Sequence, residues 1–320
     1  MTMPIVHHPA YCADLPANHR FPMDKFRAVA ELIVEEGLLD GAGTFFRPRA
    51  APFEWVALAH DPVYVDQVFH GKVPDGIARE IGFPMRPDIA LRARCATGGT
   101  VLTGYLALDY GLACNTAGGS HHARRAHGAG FCVFNDVAVA LKVMQADGAI
   151  RKALVIDLDV HQGDGTADIF SGDPDIFTFS MHSEKNYPVR KVPSHLDIGL
   201  PDGTGDADYL RKLEEVLPGL LAMEPWDIVF FNAGVDPFEG DRLGRLALTR
   251  TGLRQRDRYV IGAVREADIP LAGVLGGGYS TDIGELADRH VTLHRVARDV
   301  SRRSSPPVST ASDAPSREGA

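Results

Sequence analysis

Acidic and imidazole side chains alternate with apolar residues in the segment VIDLDVHQGDG at 155–165. On a strand, this period-two alternation would place Asp157, Asp159 and His161 on one face. A carboxylate and an imidazole on one face can bind the same metal ion, and mixed oxygen and nitrogen ligands suit zinc. The competing interpretation is a strand end whose acids cap the next helix. Because three polar residues share the face, we favour a metal site.

A further carboxylate, Asp236, follows a second apolar run in the segment FFNAGVDP. The carboxyl ends of parallel strands meet at one edge of a sheet, so Asp236 could reach the same metal as Asp159 and His161. An aspartate before proline is also a common turn residue, which is the alternative. Two aspartates and one histidine would leave a coordination position open, as in catalytic rather than structural zinc sites. This arrangement predicts hydrolysis.

Two adjacent histidines, His121 and His122, follow the glycine-rich turn 118–120. Such a pair can also be surface residues or incidental metal ligands. Here, however, Asp157 and Asp164 remain available once a metal is bound. Each could fix the tautomer of one histidine and raise its basicity. We therefore expect two active-site histidines of unequal basicity.

A glycine run, 276–278, precedes Tyr279 directly after an apolar segment. Glycines such as Gly277 let the backbone approach a bound ligand closely. A tyrosine hydroxyl held beside them can donate a hydrogen bond to a developing oxyanion. A glycine-rich turn with a packed tyrosine is the alternative. Tyr279 is therefore a candidate for catalysis and Gly277 a candidate for substrate binding.

Alternating helical and strand patterns run along the chain and would position these side chains. Helices are predicted at 26–34, 89–110, 136–146, 206–223, 251–267 and 282–300. Buried strands are predicted at 154–158, 176–180, 228–232 and 271–275. This alternation implies right-handed crossovers and a single doubly wound α/β domain, whose mainly parallel sheet is flanked by helices. The ligand site is expected at the carboxyl ends of the strands.

The composition is that of a globular protein with an acidic balance. The chain is 45% hydrophobic, as is ordinary for a protein that buries a sizeable core, and its 320 residues suffice for one large α/β domain or two small ones. The alternation of strands and helices and the predicted metal site favour a single catalytic domain at 1–300. Its formal net charge of -9, from 33 basic and 42 acidic residues, opposes direct nucleic-acid binding and favours cationic substrates. Residues 301–320 include almost no large apolar side chain, so we expect a disordered tail there.

Four cysteines are scattered along the chain without a CxxC pair. This spacing favours free thiols in a reducing compartment, and hence a cytoplasmic protein. No segment approaches the roughly 20 apolar residues of a membrane span. The first residues also lack the pattern of a secretion signal, so we expect neither export nor membrane insertion.

Taken together, these segments resemble the histone deacetylase family, which also includes acetoin-utilisation proteins and acetylpolyamine amidohydrolases. The similarity is carried by GGSHHA, GFCVFNDVA, DLDVHQGDGT, NAGVDPFEGDRLG and GGGY, which occur in the family's order within about 5–300. The resemblance implies an arginase/deacetylase-like fold. It also implies zinc-dependent removal of acetyl or longer acyl groups from the ε-amine of lysine.

The resemblance also implies a role for each polar residue of these motifs. Asp159, His161 and Asp236 would bind zinc, with ferrous iron as an alternative ion, and Tyr279 would polarise the scissile carbonyl. His122, paired with Asp164, would be the general base. His121, paired with Asp157, would give electrostatic support.

Further family positions imply substrate and ion contacts. Phe131 and Tyr187 would form the aromatic walls of a narrow tunnel for the lysine methylenes, and Gly130 would permit close approach. A structural potassium ion would be held by Ser180 and by main-chain groups of the segment from Asp157 through Asp159 to His161.

Within the family, HQGDG, HRFPMDKF and NYP are most similar to the class IV branch, some of whose members prefer long acyl chains. The loop 71–87, which should line the entrance, matches no family pattern. Three alternatives stay open: an acetylpolyamine amidohydrolase, an arginase-like ureohydrolase with two metals, and a noncatalytic acyl-lysine-binding protein. The acyl length, the molecule that carries it and the oligomeric state are undetermined by the sequence.

Overall fold

A single parallel sheet forms the centre of the molecule. The computed structural model describes residues 3–16, 18–41 and 43–303. Within these ranges seven strands pair in the order β1-β2-β7-β6-β3-β4-β5, and every pairing is parallel. The strands are β1 (Ile5–Val6), β2 (Leu112–Asn115), β3 (Ala153–Asp157), β4 (Ile176–Ser183), β5 (Leu196–Leu200), β6 (Ile228–Asn232) and β7 (Leu271–Val274).

Helices surround this sheet, and a short 3-10 helix (Pro9–Tyr11) follows β1. The described α-helices are α1 (Lys25–Glu35), α2 (Phe53–Val56), α3 (Pro62–Phe69), α4 (Asp75–Ile81), α5 (Pro87–Tyr110), α6 (Asp136–Ala146), α7 (Asp164–Ile169), α8 (Asp206–Ala222), α9 (Arg250–Glu266) and α10 (Ile283–Arg303). α5 packs against α6, while α10 packs against α1 and α9. None of the described helices is long and apolar enough to cross a membrane.

The structure confirms the predicted doubly wound α/β fold and the six predicted helices. Local signals set their ends: the Asn135 side chain accepts from the amide of Ala138 at the start of α6, and Gly111 ends α5 in a left-handed conformation. The predicted strands 154–158, 176–180, 228–232 and 271–275 correspond to β3, β4, β6 and β7.

Two boundaries differ from the prediction. β3 ends at Asp157, so Asp159 and His161 lie in the bends after the strand and not on its face. The backbone of Leu158 still donates to the carbonyl of Asn232 on β6, which keeps this turn against the sheet. α10 continues to Arg303, three residues into the segment predicted as a tail, and 304–320 lie outside the described residues.

The loops that carry the chemistry-bearing residues leave the same edge of the sheet. β2, β7, β6 and β3 are consecutive neighbours in the sheet. The two histidines follow β2, Asp159 and His161 follow β3, Asp236 follows β6, and the glycine run with Tyr279 follows β7. Because all four strands are parallel, their carboxyl ends bring these loops together.

Candidate active site

Three buried side chains converge after β3 and β6. Donor atoms of Asp159, His161 and Asp236 all lie within 4.8 Å of one another. Nδ1 of His161 lies 3.0 Å from Oδ1 of Asp159 and 3.1 Å from Oδ2 of Asp236. This is the set that the sequence predicted as metal ligands.

Backbone amides orient both carboxylates. The amide of Gly277 donates to Oδ2 of Asp159 at 2.6 Å, and the amide of Val160 donates to Oδ1 of Asp236 at 2.9 Å. A Cβ atom at position 277 would lie 2.1 Å from Oδ2 of Asp236, so only glycine fits there. Gly277, expected to contact the substrate, therefore contacts two of the three candidate ligands.

The electrostatics of the three residues suit a cation. Burial alone would lower the pKa of His161, but its hydrogen bonds with Asp159 and Asp236 raise that pKa to about 10. The two carboxylates therefore stabilise positive charge at Nδ1. A divalent metal would supply that charge, and an Asp2His set with room for another ligand fits catalytic zinc.

His121 and His122 each pair with the predicted carboxylate. Nδ1 of His121 lies 2.7 Å from Asp157, and Nδ1 of His122 lies 2.6 Å from Asp164. All four side chains are buried. The centroids of the two imidazole rings are 4.1 Å apart.

The two histidines differ in basicity, as the sequence predicted. Burial would lower the pKa of His121, but Asp157 and Asp159 raise it to about 9. Burial and the neighbouring charge of His121 lower the pKa of His122 to about 4. His122 is therefore neutral at pH 7 and can accept a proton.

Both acids of these pairs have a further partner that sequence reasoning missed. Arg124 donates to Oδ2 of Asp164 at 2.7 Å, and the amide group of Asn232 donates to Oδ1 of Asp157 at 3.0 Å. Asn232 lies inside the β6 motif, but Arg124 gave no recognisable signal.

A cavity of about 320 Å³ leads from the surface to this site. His122, His161 and Tyr279 line it together with Gly130, Phe131 and Tyr187. The rings of Tyr187 and His122 are perpendicular, with centroids 4.8 Å apart. A Cβ atom on Gly130 would lie 2.7 Å from the ring of His122, so glycine is required for this close packing.

The mouth of the cavity includes the loop 71–87, which the sequence left unassigned. Its helix α4 and the following Gly82 contribute to the lining, and Arg20 lies at the mouth together with Arg79 and Glu80. Glu80 is 3.4 Å from His127. Among the described residues, the side chains of Arg20 and Arg79 have no hydrogen-bond or ion-pair partner. The mouth therefore carries two unpaired positive charges and one carboxylate, a net charge of +1 (two minus one).

A smaller chamber lies deeper, beside Asp159. Its volume is about 30 Å³, room for little more than a water molecule or two. Phe21, Phe26, Arg92 and Tyr279 are among the residues that close it. Space beyond the candidate ligands is therefore narrow.

Tyr279 is buried, and its ring is perpendicular to that of His161 with centroids 6.3 Å apart. Burial and the nearby carboxylates of Asp236 and Asp159 raise the pKa of Tyr279 well above its usual value. The hydroxyl is consequently protonated at neutral pH and can donate a hydrogen bond.

Lys25 and Asp241 support the glycine run and Tyr279, and neither was predicted. Nζ of Lys25, fully buried on α1, lies 3.3 Å and 3.4 Å from the carbonyls of Gly276 and Gly278. Asp241 accepts a hydrogen bond from the amide of Tyr279. Asp241 falls in the GDRLG segment that carried the resemblance, whereas only the tertiary fold reveals Lys25.

Ser180, the residue expected at a potassium site, is buried on β4 opposite Asp157 in the sheet register. Its hydroxyl pairs with Nδ1 of His182 at 2.9 Å. The potassium site stays a prediction.

The seven-stranded parallel sheet, with candidate ligand loops at its carboxyl edge, matches the arginase/deacetylase fold class. The solved crystal structure of the HDA15 HD domain has the same fold, with a TM-score of 0.78 and 22% sequence identity over 93% of this chain and 89% of that one. A family model described as the histone deacetylase domain matches residues 19–294. The chain therefore belongs to the histone deacetylase family of hydrolases.

Its relatives span several kingdoms. An uncharacterized protein of Picosynechococcus sp. is 47% identical over 94% of this chain and 100% of its own length. Histone deacetylase 2 of Arabidopsis thaliana is 28% identical over 82% of this chain and 70% of its own. A probable deacetylase of Methanothermobacter thermautotrophicus is 27% identical over 88% of this chain and 86% of its own.

Proposed function

We propose that this protein is a zinc-dependent amidohydrolase that removes short acyl groups from the ε-amine of lysine. One observation carries the proposal: the Asp159, His161 and Asp236 cluster and the His122–Asp164 pair meet at the end of one cavity. A cation site, a neutral base and an oxyanion donor are what metal-assisted amide hydrolysis requires. The deacetylase relatives support the same reaction.

The three ligands would hold zinc, which when bound would polarise the acyl carbonyl and lower the pKa of water. His122, neutral and oriented by Asp164, would accept the proton of the attacking water and then transfer it to the leaving amine. His121 would remain positively charged beside Asp157 and stabilise developing negative charge. The Tyr279 hydroxyl would donate to the carbonyl oxygen as that oxygen becomes an oxyanion.

The cavities favour a particular substrate shape. Phe131 and Tyr187 line the outer cavity, where lysine methylenes would replace water against the aromatic rings. The inner chamber of about 30 Å³ could take the methyl group of an acetyl. An octanoyl chain would have to displace Phe21 or Phe26. We therefore infer that acetyl is preferred, although the class IV resemblance alone would allow a long chain.

The charge of the cavity mouth bears on the acetylpolyamine alternative. A polyamine is a polycation, and the unpaired Arg20 and Arg79 would repel it despite the acidic balance of the whole chain. The ureohydrolase alternative also lacks support, since a single group of three or more potential metal ligands occurs among the described residues. A two-metal site needs further carboxylates.

The test is a substrate panel under one set of conditions. Peptides that carry acetyl-, octanoyl- or myristoyl-lysine would be compared with N-acetylputrescine and acetylspermidine, using zinc-loaded enzyme. Acetyl-lysine should be turned over fastest and the polyamines poorly. Polyamine turnover without peptide turnover would support the amidohydrolase alternative, and peptide binding without turnover would support a noncatalytic role. A fastest rate on myristoyl-lysine would contradict the inferred chain length.

A second comparison tests the cavity mouth. Acetyl-lysine peptides with acidic neighbours should have a lower KM than those with basic neighbours, because Arg20 and Arg79 attract carboxylates. Substitution of both arginines by glutamine should remove the difference while kcat is retained. Arg211→Gln on α8 is the matched control, as that exposed arginine pairs with Asp208 and Glu215 and does not line the cavity. An undiminished difference in the double variant would exclude the mouth as its source.

A further inference from the structure

A second basic cavity lies between α9 and α10, and none of its lining residues borders the substrate cavity. Its volume is about 270 Å³. Four arginines and one aspartate line it, a net charge of +3 (four minus one), and two threonine hydroxyls lie beside them. These charged residues are Arg250, Arg254, Arg289, Arg295 and Asp288. The local charge is opposite in sign to the net charge of -9 for the chain.

Two of these arginines are already neutralised by protein carboxylates. Arg250 forms an ion pair with Asp288. Arg295 lies 2.8 Å from the same Asp288 and also pairs with Glu36. Asp288, the only acid that lines the cavity, is therefore already paired with these two arginines.

Arg289 is the exception. It is only 3% exposed, and its Nε has no hydrogen-bond partner. Its guanidinium stacks on the ring of Phe238 at 4.3 Å, and it forms no ion pair with a described residue. Asp241 and Glu285 act on it electrostatically without reaching ion-pair distance. A buried charge without a hydrogen-bonded partner is costly, so the cavity is where its partner should bind.

Arg254 supplies a second incompletely paired charge. Its side chain is 61% exposed, and its nearest acid, Asp299, is 3.9 Å away. Asp299 lies closer to Arg258, at 3.2 Å, and pairs mainly with that residue. The cavity also includes Thr251 in the first turn of α9. The positive end of this helix dipole adds to the attraction for an anion.

We propose that the cavity between α9 and α10 binds a small anion with a phosphate group, with Arg289 as its main charged partner. A planar guanidinium can donate two parallel hydrogen bonds to phosphate oxygens. The concave shape and the limited volume select a free phosphate or a small phosphate ester over an extended polyanion. This site does not depend on the proposed deacylase reaction.

The experiment is isothermal titration calorimetry of the full, zinc-loaded chain with inorganic phosphate, pyrophosphate and glycerol 3-phosphate. Ionic strength is held constant with sodium chloride, since screening weakens such contacts. We expect one saturable site. If inorganic phosphate binds more tightly than glycerol 3-phosphate, the ligand is a free phosphate; the reverse order identifies a phosphate ester. Arg289→Met should weaken binding about 10-fold or more, and Arg254→Met several-fold. Arg211→Met should leave it unchanged.

The same titrations distinguish phosphate binding in the cavity between α9 and α10 from phosphate binding at the metal site. Phosphate bound at the metal would disappear in Asp236→Ala and persist in Arg289→Met, which would overturn the proposal. The proposal would also be overturned if no saturable phosphate binding were found in the millimolar range, or if wild type and both arginine variants bound phosphate with equal affinity. If thermal unfolding shows that Arg289→Met does not fold, the exposed Arg254→Met variant decides, together with the phosphorus NMR linewidth of the bound anion.

Discussion

The backbone amide of Tyr279 donates a 2.7 Å hydrogen bond to Oδ2 of Asp241. Oδ1 of Asp241 accepts at the same time from the amides of Leu243 and Gly244, at 2.9 Å and 3.1 Å. The loop after β6, which carries Asp236, is thereby fixed to the loop after β7. Asp241 is a positioning residue in this arrangement, since it acts on the substrate only through Tyr279.

Asp241→Ala should lower kcat by up to about 100-fold with a smaller change in KM, because a displacement of about 1 Å in a catalytic group can cost that much. Zinc content should stay near wild type, as the three ligands keep their own backbone contacts. Steady-state kinetics and metal analysis check this. Asp227→Ala is the control: it removes a carboxylate that accepts from two backbone amides, of Arg151 and Lys152, away from the site. If kcat fell equally in the two variants, Asp241 would have only a structural role.

Tyr279→Phe removes only the hydroxyl and tests the oxyanion contact directly. We expect a loss of roughly 100-fold or more in kcat, since one such donor contributes about 2.7–4 kcal/mol. Thermal unfolding should be nearly unchanged, because the ring and its packing remain. An unchanged rate on acetyl-lysine peptide would remove Tyr279 from the mechanism.

The sequence predicted most of the site because its residues follow strands of one parallel sheet. Asp159, His161 and Asp236 needed only the rule that such strands end at one edge. The rule that side chains alternate along a strand was less reliable, because β3 ends at Asp157 and both Asp159 and His161 lie in the bends after it. They converge because the turn is hydrogen-bonded to β6, which the local pattern does not encode.

Residues that act through long-range contacts were not predicted. Lys25 reaches the carbonyl of Gly276, 251 residues away, from the buried face of an ordinary amphipathic helix.

The strands β1, β2 and β5 were missed for a different reason. β1 has two residues, the apolar run of β2 stops after three residues at Asn115, and β5 alternates between exposed and half-buried positions before its buried end. Short or partly exposed strands lack the continuous apolar run that marks a buried one.

Asp236→Ala should deplete bound zinc, because two protein ligands remain where the site has three. Metal content per chain is measured by elemental analysis after dialysis against buffer with a trace of zinc. Wild type should retain about one ion per chain, and Asp227→Ala should match it. Full occupancy in Asp236→Ala would make this residue a turn aspartate and not a ligand.

Buried neutral histidines should make the protein less stable in acid. Burial lowers the pKa of His60 to about 4, and its Nε2 accepts a 2.9 Å hydrogen bond from the amide of Asn135. In the unfolded chain a histidine titrates near 6.5. As pH falls from about 6.5 to 4, the unfolded state therefore binds a proton that the folded state does not. The free energy of unfolding should drop by up to about 1.4 kcal/mol per pH unit for each such residue.

Urea unfolding between pH 7 and pH 5 measures this slope. His60→Asn should be less stable at pH 7 but should have a shallower slope, because one of the contributing groups is gone. Val189→Ala, which changes an exposed side chain without a titratable group, should keep the wild-type slope. An identical slope in His60→Asn would show that His60 takes up protons equally in the folded and unfolded states, and would contradict the lowered pKa of His60.

The central claim is that zinc and His122 act together on an acyl amide. Its most direct test is the initial rate of acetyl-lysine peptide hydrolysis by zinc-loaded wild type, by wild type with chelator, and by His122→Ala. We predict turnover that the chelator abolishes and that zinc restores, with His122→Ala slower by about 10²–10⁴-fold at unchanged zinc content. Turnover that persists in chelator, or a His122→Ala variant as fast as wild type, would contradict this account.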